Sequence, residues 1–527
     1  RRRPPAVTAP APLSASSLPP LSALAQAAAA ELSELLPGRV STADEDRISY
    51  ARDMWPKAIL WIRQGRIPPP PDLVVWPGSE EEVQKVIQLA RAHKLPVIPF
   101  GAGSGVCGGV CAVHGGISLD LKRLEHVEPV DGERFTVDAG AGVLGEALER
   151  RLNAQGYTLG HFPSSIYMST LGGWLAARSA GQLSTRYGKI EDMVVSLRAV
   201  TGRGEIVQTP ERPCSGPDLA ELLLGSEGTL CTFTRARLRV HPRPQHQAFR
   251  AFRFRSVEAG VEAIRRVLRD GLRPAAVRLY DPFDTALVAR KKPHAPEDVV
   301  PPSERGILKG DLLPLLTRAV APRALGNARL FNRAADLFRS CLLVLMFEGE
   351  ARRSLQEEGF ARELCAAAGG TDLGEEPARR WYATRYDVSY RMSPLVDGGM
   401  VADTFEVAAT WDRVMEVYER VRAATAPLAF VMCHFSHAYA EGCSLYFSFA
   451  VASQGGDRAL ETRYDDLWKA ALAAALAAGA TISHHHGVGL LKSRALAEQL
   501  GDARRMLQGL KRALDPDGIM NPGKLLP

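Results

Sequence analysis

The chain has 527 residues, of which 46% are hydrophobic and 24% are charged, and its formal net charge is +6. A chain of this length is too long for a single core, so two or three domains are expected. The composition excludes a protein that is disordered overall, and without repeats of aromatic and basic residues the modest charge argues against nucleic-acid binding. The small excess of basic residues instead favours some affinity for anionic lipid or phosphate.

The eight cysteines form no CxxC pair and lie mostly in apolar contexts. This predicts reduced, buried thiols and an intracellular compartment. No apolar run reaches the length of a membrane span, and the longest, residues 467–480, contains Lys469 and is predicted to be a core helix.

Residues 1–20 are rich in Pro, Ala and Ser, which predicts a disordered tail without the apolar core of a secretory signal. Residues 21–70 are predicted to form an N-terminal helical segment that ends in a run of prolines.

The first large domain is predicted over residues 71–244 as an α+β block. It opens with an apolar strand, an N-capped amphipathic helix and a second apolar strand, which is the pattern of a βαβ unit. The glycine loop after it, residues 101–105, lacks the GxGxxG helix opening of dinucleotide-binding folds. Strands are predicted at 73–76, 95–100, 116–120, 135–140, 194–200 and 229–240, and helices at 77–93 and 143–155.

Three glycine-bearing stretches in this block predict one large, oxygen-rich ligand that is held from several sides: the first spans residues 99–105, the second 163–192 and the third 225–229. Small residues and glycines let backbone amides approach such a ligand without interference from side chains. A long surface loop is the alternative for any one stretch taken alone. The predicted cofactor-binding residues are Pro99, Gly101, Ala102, Gly103, Ser104, Gly105, Pro163, Ser164, Ser165, Ser169, Thr170, Gly172, Gly173, Trp174, Ser179, Gly181, Tyr187, Gly188, Ile190, Glu227 and Gly228.

A second domain is predicted over residues 245–482, with strands and helices in alternation. Strands are predicted at 275–280, 341–348, 400–405 and 443–451, and helices at 257–269, from 354 and at 411–425. An irregular insert at about 291–337 carries arginines between apolar residues. It is interpreted either as a membrane-surface element or as a packed insert with exposed arginines. The last segment, residues 483–527, is rich in turn residues and is predicted to return to the first domain.

The histidines His484, His485 and His486 are the strongest candidates for catalysis in the sequence, because the glycines that follow leave room for a ligand. Imidazoles can move protons near neutral pH or bind a metal, and a structural role is the alternative for any one of them. A metal site would have to recruit His434 and His437. Their spacing is unlike a zinc finger or an HExxH helix, so no metal site is predicted.

Three further side chains are candidates for chemistry. Tyr446 lies in a strand of alternating residues, where it is either a core aromatic or a hydroxyl directed at a reacting carbon. Arg385 and Arg391 are candidates for binding a phosphate or carboxylate, with a surface ion pair as the alternative for each.

The motifs at residues 99–105, 163–174, 187–192, 225–230 and 483–489 resemble FAD flavoproteins of the vanillyl-alcohol-oxidase type. Within that type, the combination of Ser-Thr-Leu-Gly-Gly-Trp, Gly-Ser-Glu-Gly-Thr and His-His-His-Gly-Val-Gly is most similar to the alkyldihydroxyacetonephosphate synthase family of ether-lipid enzymes. The resemblance runs from about Asp44 to the C-terminus. It implies an FAD-binding domain of two α+β subdomains with an α/β cap domain, and a C-terminal segment that completes the flavin site. Because residues 101–109 contain no histidine, FAD is expected to be non-covalent.

The resemblance also implies a reaction, in which the acyl chain of an acyl-dihydroxyacetone phosphate is exchanged for a fatty alcohol. A base removes a C1 proton, flavin N5 traps the substrate carbon, the fatty acid leaves and the alcohol adds, without net redox change. Tyr446 matches the family's proton-removing tyrosine, and His485 and His486 match histidines near the flavin. A phenol with an ordinary pKa of about 10 needs nearby cations for this role, which the imidazoles are expected to supply. The family's phosphate-binding Arg-Asp pair is absent, since Arg391-Met-Ser393 follows Tyr390.

The implied partners are acyl-dihydroxyacetone phosphate, a long-chain fatty alcohol and the membrane surface, to which the protein would attach peripherally. A homodimer is compatible with the resemblance. The implied location is cytoplasmic, or peroxisomal in a eukaryote, although the last residues are not a peroxisomal address. Two alternatives stay open: an FAD-linked dehydrogenase or oxidase of a 2-hydroxy acid on the same fold, and a flavin-binding lipid-surface protein that does not turn over.

Overall fold

The computed structural model describes residues 18–289, 340–386, 400–453 and 455–525. These residues form two compact units. The first unit comprises the described residues within 1–181, 187–243 and 482–527, and the second comprises the described residues within 182–186 and 244–481. Most of the predicted tail, the predicted insert and Arg391 lie outside the described residues. No described helix has both the length and the apolar character needed to cross a membrane.

Among its described residues, the first unit contains two four-stranded sheets and one two-stranded pair. Its strands are β1 (Val40–Ser41), β2 (Leu73–Val75), β3 (Val97–Phe100), β4 (Ile117–Asp120), β5 (Thr136–Gly140), β6 (Tyr157–Thr158), β7 (Val194–Thr201), β8 (Ile206–Gln208), β9 (Cys231–Arg239) and β10 (His241–Pro242). One sheet has the order β1-β2-β4-β3, with β4 parallel to both β2 and β3. The other is antiparallel with the order β5-β9-β7-β8.

The described helices of the first unit are short and connect or cover these sheets. Its α-helices span Ala23–Leu35, Asp44–Ser49, Pro56–Arg63, Glu80–Ala92, Gly145–Asn153, Leu171–Ala177, Ile190–Met193, Leu219–Leu223, Ser493–Leu500 and Arg504–Leu514, and 3₁₀ turns span Ile166–Met168 and Gly501–Ala503. A further short helix, Ser184–Tyr187, lies where the chain passes from one unit to the other in sequence.

The helix Glu80–Ala92 shows how the sequence specifies the parallel sheet. Ser79 caps it by accepting a hydrogen bond from the Glu82 amide at 3.3 Å, as the predicted N-cap requires. The helix then buries Val83, Val86 and Ile87 in a core shared with the strand residues of the sheet. Side chains of this size each stabilise the fold by about 1.5–3 kcal/mol when fully buried. The predicted strand-helix-strand unit is therefore confirmed, with β4 inserted between its two strands.

The C-terminal segment returns to this sheet, which confirms the predicted return. The Val97 amide donates to the Ile519 carbonyl and the Asn521 amide donates to the Val97 carbonyl, both at 2.8 Å. The buried Asp515 carboxylate accepts hydrogen bonds from the amides of Ile519 and Met520. The segment is therefore tied to the edge of β3 through its backbone.

The described part of the second unit is built on a seven-stranded sheet with the order β14-β11-β13-β12-β16-β17-β15. Its strands are β11 (His246–Phe254), β12 (Ala276–Tyr280), β13 (Cys341–Gly349), β14 (Thr371–Asp372), β15 (Met400–Thr410), β16 (Phe430–Ala438) and β17 (Gly442–Ala452). Its described helices are Val257–Arg269, Pro282–Ala289, Ala351–Ala367, Glu376–Thr384, Val414–Thr425 and Gly456–Ala477. All described pairings in it are antiparallel, so the predicted alternation of strands and helices does not produce a parallel sheet.

The two faces of this sheet differ in character. On one face, Phe405 and Phe449 pack against Trp468 of the helix Gly456–Ala477, with ring centroids 5.4 and 5.9 Å apart. On the other face, the helix Glu376–Thr384 covers only one end, where Tyr382 lies 5.5 Å from Phe249. The strands β12, β16, β17 and β15 present polar side chains on this second face, which is hereafter called the polar face.

Candidate functional site

The three glycine-bearing stretches meet in the first unit. A Cβ atom placed on Gly101 would lie 2.4 Å from the Thr170 Oγ1 atom, so the first stretch packs directly against the second. A Cβ atom on Gly228 would lie 2.9 Å from Pro99, which brings the third stretch against the first. The three stretches therefore pack against one another, and their joint binding of one ligand stays a prediction.

The first stretch presents a row of backbone donors. The amides of residues 101–105 donate to no oxygen within the described part of the chain. Gly103 has a φ of 66°, which turns the backbone in the way that forms an anion-binding nest. On the outer side, Lys122 donates to the Gly101 carbonyl at 3.1 Å and also binds Asp120, which fixes the loop.

The second stretch forms a rigid wall beside this loop. Trp174 is buried and donates from Nε1 to Ser169 Oγ at 2.8 Å. Thr170 caps the helix Leu171–Ala177, and the Gly172 amide donates to the Ala141 carbonyl at 2.7 Å. The remaining predicted residues of the second stretch, which lie in the same unit, are Pro163, Ser164, Ser165, Gly173, Ser179, Gly181, Tyr187, Gly188 and Ile190. Their individual cofactor contacts stay predictions.

Sequence reasoning missed His161, which lies behind this wall. Its side chain is 1% exposed, its ring centroid is 4.6 Å from that of Trp174, and its Nε2 atom is 3.3 Å from Ser179 Oγ. Burial, with a smaller effect of Lys189, lowers the pKa of His161 to about 3, so the ring is neutral. Its position two residues before the second stretch, which begins at Pro163, was the sequence signal that could have identified it.

Glu227, in the third stretch, holds the loop that follows the histidine triplet. Its carboxylate accepts hydrogen bonds from the amides of Val488 at 2.5 Å and Gly489 at 2.7 Å, and burial raises its pKa. Asn521 donates to the Glu227 carbonyl at 2.7 Å. The side chain predicted to bind a cofactor therefore positions the C-terminal segment, and its own cofactor contact stays a prediction.

The triplet itself is a compact cluster in the first unit. The Nδ1 atoms of His484 and His485 are 3.0 Å apart, and the rings of His485 and His486 are 4.6 Å apart at 76°. The fully buried Lys492 donates to Ser483 Oγ at 3.1 Å, at the base of the loop. The imidazoles are thus held close together by a loop that is anchored at both ends.

Asp53 is a buried carboxyl beneath the first stretch. It accepts hydrogen bonds from the amides of Trp55, Gly108 and Gly109 at 3.0, 2.9 and 3.2 Å. Burial outweighs these donors and raises the pKa of Asp53 from 3.8 to about 6. Folding therefore takes up a proton at this residue in mildly acidic solution.

We expect this carboxyl to make the fold less stable as the pH rises. A carboxyl with a raised pKa in the folded state contributes most stability below its unfolded pKa, and the contribution is lost as pH rises through the folded value. For a shift from 3.8 to about 6, the loss is roughly 3 kcal/mol between about pH 4 and pH 7. Urea unfolding of the wild type and of Asp53→Asn at several pH values measures it. The variant should lack this pH dependence, and an unchanged pH dependence would contradict the assignment.

In the second unit, a row of side chains crosses four strands of the polar face. Tyr280 on β12 pairs with His434 on β16, His434 pairs with Tyr446 on β17, and Tyr446 pairs with Glu406 on β15. Directly opposed residues of antiparallel strands point to the same face, so the structure places Tyr446 on the polar face rather than in the helix-covered core.

The Tyr446 hydroxyl donates to Thr404 Oγ1 at 3.1 Å. Burial raises the pKa of Tyr446 to about 12, and Arg278 acts in the opposite direction. Within this unit, the positive charge that acts on the Tyr446 hydroxyl is therefore the guanidinium of Arg278.

The two histidines considered for a metal site have other partners. His434 Nε2 lies 2.5 Å from Arg278 Nη2, and its Nδ1 lies 3.4 Å from Asp284 Oδ2. His437 Nδ1 lies 2.7 Å from Ser184 Oγ. Both histidines belong to strand β16, which the sequence analysis does not predict. Their spacing in sequence is therefore the spacing of residues along a strand.

Arg385 is stacked on aromatic rings. Its guanidinium carbon lies 3.7 Å from the Tyr382 ring centroid and 4.4 Å from that of Tyr386, and its Nη1 donates to the Tyr382 carbonyl at 2.6 Å. A role in binding a substrate phosphate stays a prediction for Arg385, and for Arg391 outside the described residues.

Comparison with known proteins identifies the family of the chain. Residues 243–525 match the family described as FAD linked oxidases, C-terminal domain, and residues 71–210 match the FAD binding domain family. The chain belongs to the FAD-linked oxidase family. FAD is its cofactor, and the matched residues 71–210 contain the free amides of the first stretch. A row of unpaired N–H groups suits the pyrophosphate of FAD, so the residues present fit this cofactor.

Relatives of this member of the FAD-linked oxidase family carry several names. An alkyldihydroxyacetonephosphate synthase from Trypanosoma brucei brucei is 31% identical and covers 90% of this chain and 76% of its own. The uncharacterized FAD-linked oxidoreductase YgcU from Escherichia coli K12 is 28% identical and covers 87% of this chain and 90% of its own. A probable mitochondrial D-lactate dehydrogenase from Danio rerio is 28% identical, with coverages of 87% and 84%.

Solved structures confirm the predicted fold of the vanillyl-alcohol-oxidase type. A structure of an alkyldihydroxyacetonephosphate synthase matches with a TM-score of 0.76 and 26% identity, covering 98% of this chain and 88% of that one. 4-Ethylphenol oxidase from Gulosibacter chungangensis matches with a TM-score of 0.70 at 16% identity, covering 96% and 98%. The second match supports the fold alone, because its sequence similarity is low.

Proposed function

We propose that this flavoprotein is an alkyl transferase of ether-lipid synthesis, an alkylglycerone-phosphate synthase. It would exchange the acyl chain of an acyl-dihydroxyacetone phosphate for a long-chain fatty alcohol. The observation that carries the proposal is similarity over nearly the whole chain: three alkyldihydroxyacetonephosphate synthases from different organisms are 30–31% identical over 90–93% of it. The lipid substrates would bring the protein to a membrane surface as a peripheral partner.

In the proposed reaction, Tyr446 Oη accepts the C1 proton of the substrate. Its hydroxyl bonds to Thr404 and its ring stacks on His434, which fixes the position of the oxygen. His434 cannot supply positive charge, because burial keeps its pKa well below the usual range. Arg278 is thus the cation that favours the phenolate within this unit.

The bond changes balance without an external oxidant. The C1–O bond to the fatty acid breaks and a C1–O bond to the alcohol forms. The hydroxyl proton of the alcohol goes to the fatty-acid carboxylate, and the proton that Tyr446 took from C1 returns to C1. Bound FAD would supply an electrophilic ring for this exchange, which needs no net change in its oxidation state. We assign His484, His485 and His486 to handling protons near that ring, because imidazoles exchange protons at neutral pH.

The decisive experiment is an anaerobic incubation of the yellow protein with palmitoyl-dihydroxyacetone phosphate and hexadecanol. We expect equal amounts of palmitate and alkyl product, with the flavin oxidised at the end. His485→Ala should keep FAD and lose at least about 100-fold in rate, as expected for a lost general acid or base. His126→Ala, a change at an exposed histidine paired with Glu128, is the control. Unchanged exchange in His485→Ala would remove that residue from the mechanism.

The second candidate is an FAD-linked dehydrogenase or oxidase of a 2-hydroxy acid. Relatives named D-lactate dehydrogenase, from Danio rerio and Arabidopsis thaliana, favour it, since each covers 87% of this chain. In that reaction a histidine would take the hydroxyl proton, and bound FAD would supply the hydride acceptor. Bleaching of the flavin by D-lactate, without any acyl or alkyl exchange, would select this candidate over the transferase.

A further inference from the structure

His434 occupies the centre of the row on the polar face, and its side chain is 5% exposed. Its ring lies parallel to the Tyr446 ring, with centroids 4.7 Å apart and an angle of 17° between the planes. On its other side, the Tyr280 ring centroid is 5.9 Å away. The imidazole is therefore held between two phenols on adjacent strands.

The protonation state of His434 follows from its neighbours. Arg278 Nη2 is 2.5 Å from His434 Nε2, and a guanidinium has donors but no acceptor. His434 Nε2 must then accept, which leaves the single ring proton on Nδ1, where Asp284 Oδ2 is 3.4 Å away. Arg278 would also repel a charged imidazole, so the ring is neutral.

Arg278 keeps donors available for another partner. Its Nε and Nη1 atoms donate to none of the described residues, whereas Nη2 is used by His434. The guanidinium carbon lies 5.6 Å from the Tyr280 ring centroid and 6.0 Å from that of Trp381. A cation between aromatic rings, without a carboxylate partner among the described residues, is suited to an incoming anion.

We propose that His434 is a positioning residue: its Nε2 lone pair anchors Arg278, which binds the anionic group of the substrate, while its ring face fixes the phenol of Tyr446. The anion is a phosphate or a carboxylate, since both present oxygens to a guanidinium. The role assigned to Tyr446 rests on the proposed function, whereas the anchoring of Arg278 does not depend on which substrate is correct.

A double-mutant cycle tests the anchoring. His434→Phe keeps an aromatic ring for the stack but removes the acceptor, and Arg278→Gln removes the cation. We expect each change to weaken anion binding by about 10- to 100-fold, the range for one lost hydrogen bond to a charged group. The double variant should bind no more weakly than the worse single variant, because His434 acts on the anion only through Arg278.

Two ligands separate the sources of the anion. Binding of dihydroxyacetone phosphate and of D-lactate to the FAD-loaded protein is measured by calorimetry for all four proteins of the cycle. Non-additive losses with either ligand support the proposal, and the affected ligand identifies phosphate or carboxylate. Additive losses, or binding that the substitutions leave unchanged for both ligands, overturn it.

The exchange assay supplies a second test, because a residue with a merely structural role would not change KM and kcat to different extents. In His434→Phe we expect a raised KM with a smaller change in kcat, whereas His434→Ala, which also removes the stack, should lower kcat further. His246→Phe is the matched control, because that histidine of β11 is bonded to Ser354 at 2.8 Å and belongs to no part of the row. If the wild type shows no exchange while the binding cycle is non-additive, the transferase proposal fails and the role of His434 in binding stands.

Discussion

Replacing Tyr446 with phenylalanine is expected to lower the rate of alkyl exchange by about 100- to 10,000-fold, the range for a lost general base. The substitution removes one oxygen and keeps the ring that stacks on His434, so the sheet should be undisturbed. FAD should remain bound, because the glycine-bearing stretches all belong to the first unit and Tyr446 belongs to the second.

The pH dependence provides a second test of the same role. Because the pKa of Tyr446 is raised to about 12, the phenolate is a small fraction at neutral pH. At pH values below the pKa, the phenolate fraction increases about tenfold for each unit by which the pH rises. The wild-type rate should therefore rise with pH, and this rise should vanish in Tyr446→Phe. Tyr157→Phe in the first unit serves as the control for loss of a tyrosine hydroxyl. A rate unaffected by Tyr446→Phe would assign the proton transfer to another group.

Where local chemistry fixes an element, the sequence predicts it well. Ser79 and the spacing of Val83, Val86 and Ile87 specify the cap and the buried face of the helix Glu80–Ala92, since both depend on residues close in sequence. The glycine stretches are likewise visible as places where backbone amides can meet a ligand. These features need no knowledge of distant contacts.

The missed features depend on strand pairing over long distances in the chain. In the sequence, strand β16 looks like a histidine motif, because His434 and His437 stand out among apolar residues. Its alternation of inward and outward side chains is hard to recognise, because the strand register shifts between Ser436 and Ala438. The face occupied by Tyr446 could not be chosen without the register to β15 and β16. The partnership of Arg278 with His434 joins residues 156 positions apart, so no local pattern could indicate it.

For Glu227, the sequence predicts the correct location in a glycine loop but does not predict the role of its carboxylate in the structure. Its position between two glycines indicates a ligand loop, and the loop does meet the first stretch at Pro99. Its carboxylate, however, is occupied by two amides of the segment after the histidine triplet. Sequence alone could not supply that contact, because it brings together residues more than 250 positions apart.

The second large effect is expected at the first glycine stretch, where Gly103→Asp should yield a protein that has lost its yellow colour. The new carboxylate would lie among the free amides of residues 101–105 and compete with the pyrophosphate of FAD. Two like charges about 4 Å apart repel by about 4 kcal/mol at an effective dielectric constant of 20, which corresponds to a roughly 1000-fold loss of affinity. Reconstitution of the apoprotein with FAD, followed by flavin absorbance, measures that loss.

Two controls separate charge from shape in this experiment. Gly103→Ala introduces the same Cβ atom, 2.9 Å from the Phe100 ring and at the same positive φ, without the charge, so it should keep clearly more of the FAD affinity than Gly103→Asp. Gly156→Asp introduces the charge at another glycine of positive φ, where a Cβ atom would meet no other atom within 4 Å among the described residues, and it should leave FAD bound. If Gly103→Ala loses FAD as completely as Gly103→Asp, crowding rather than the anion-binding amides explains the effect. If Gly103→Asp keeps FAD, the pyrophosphate does not bind at these amides, and the glycine loop has only a structural role.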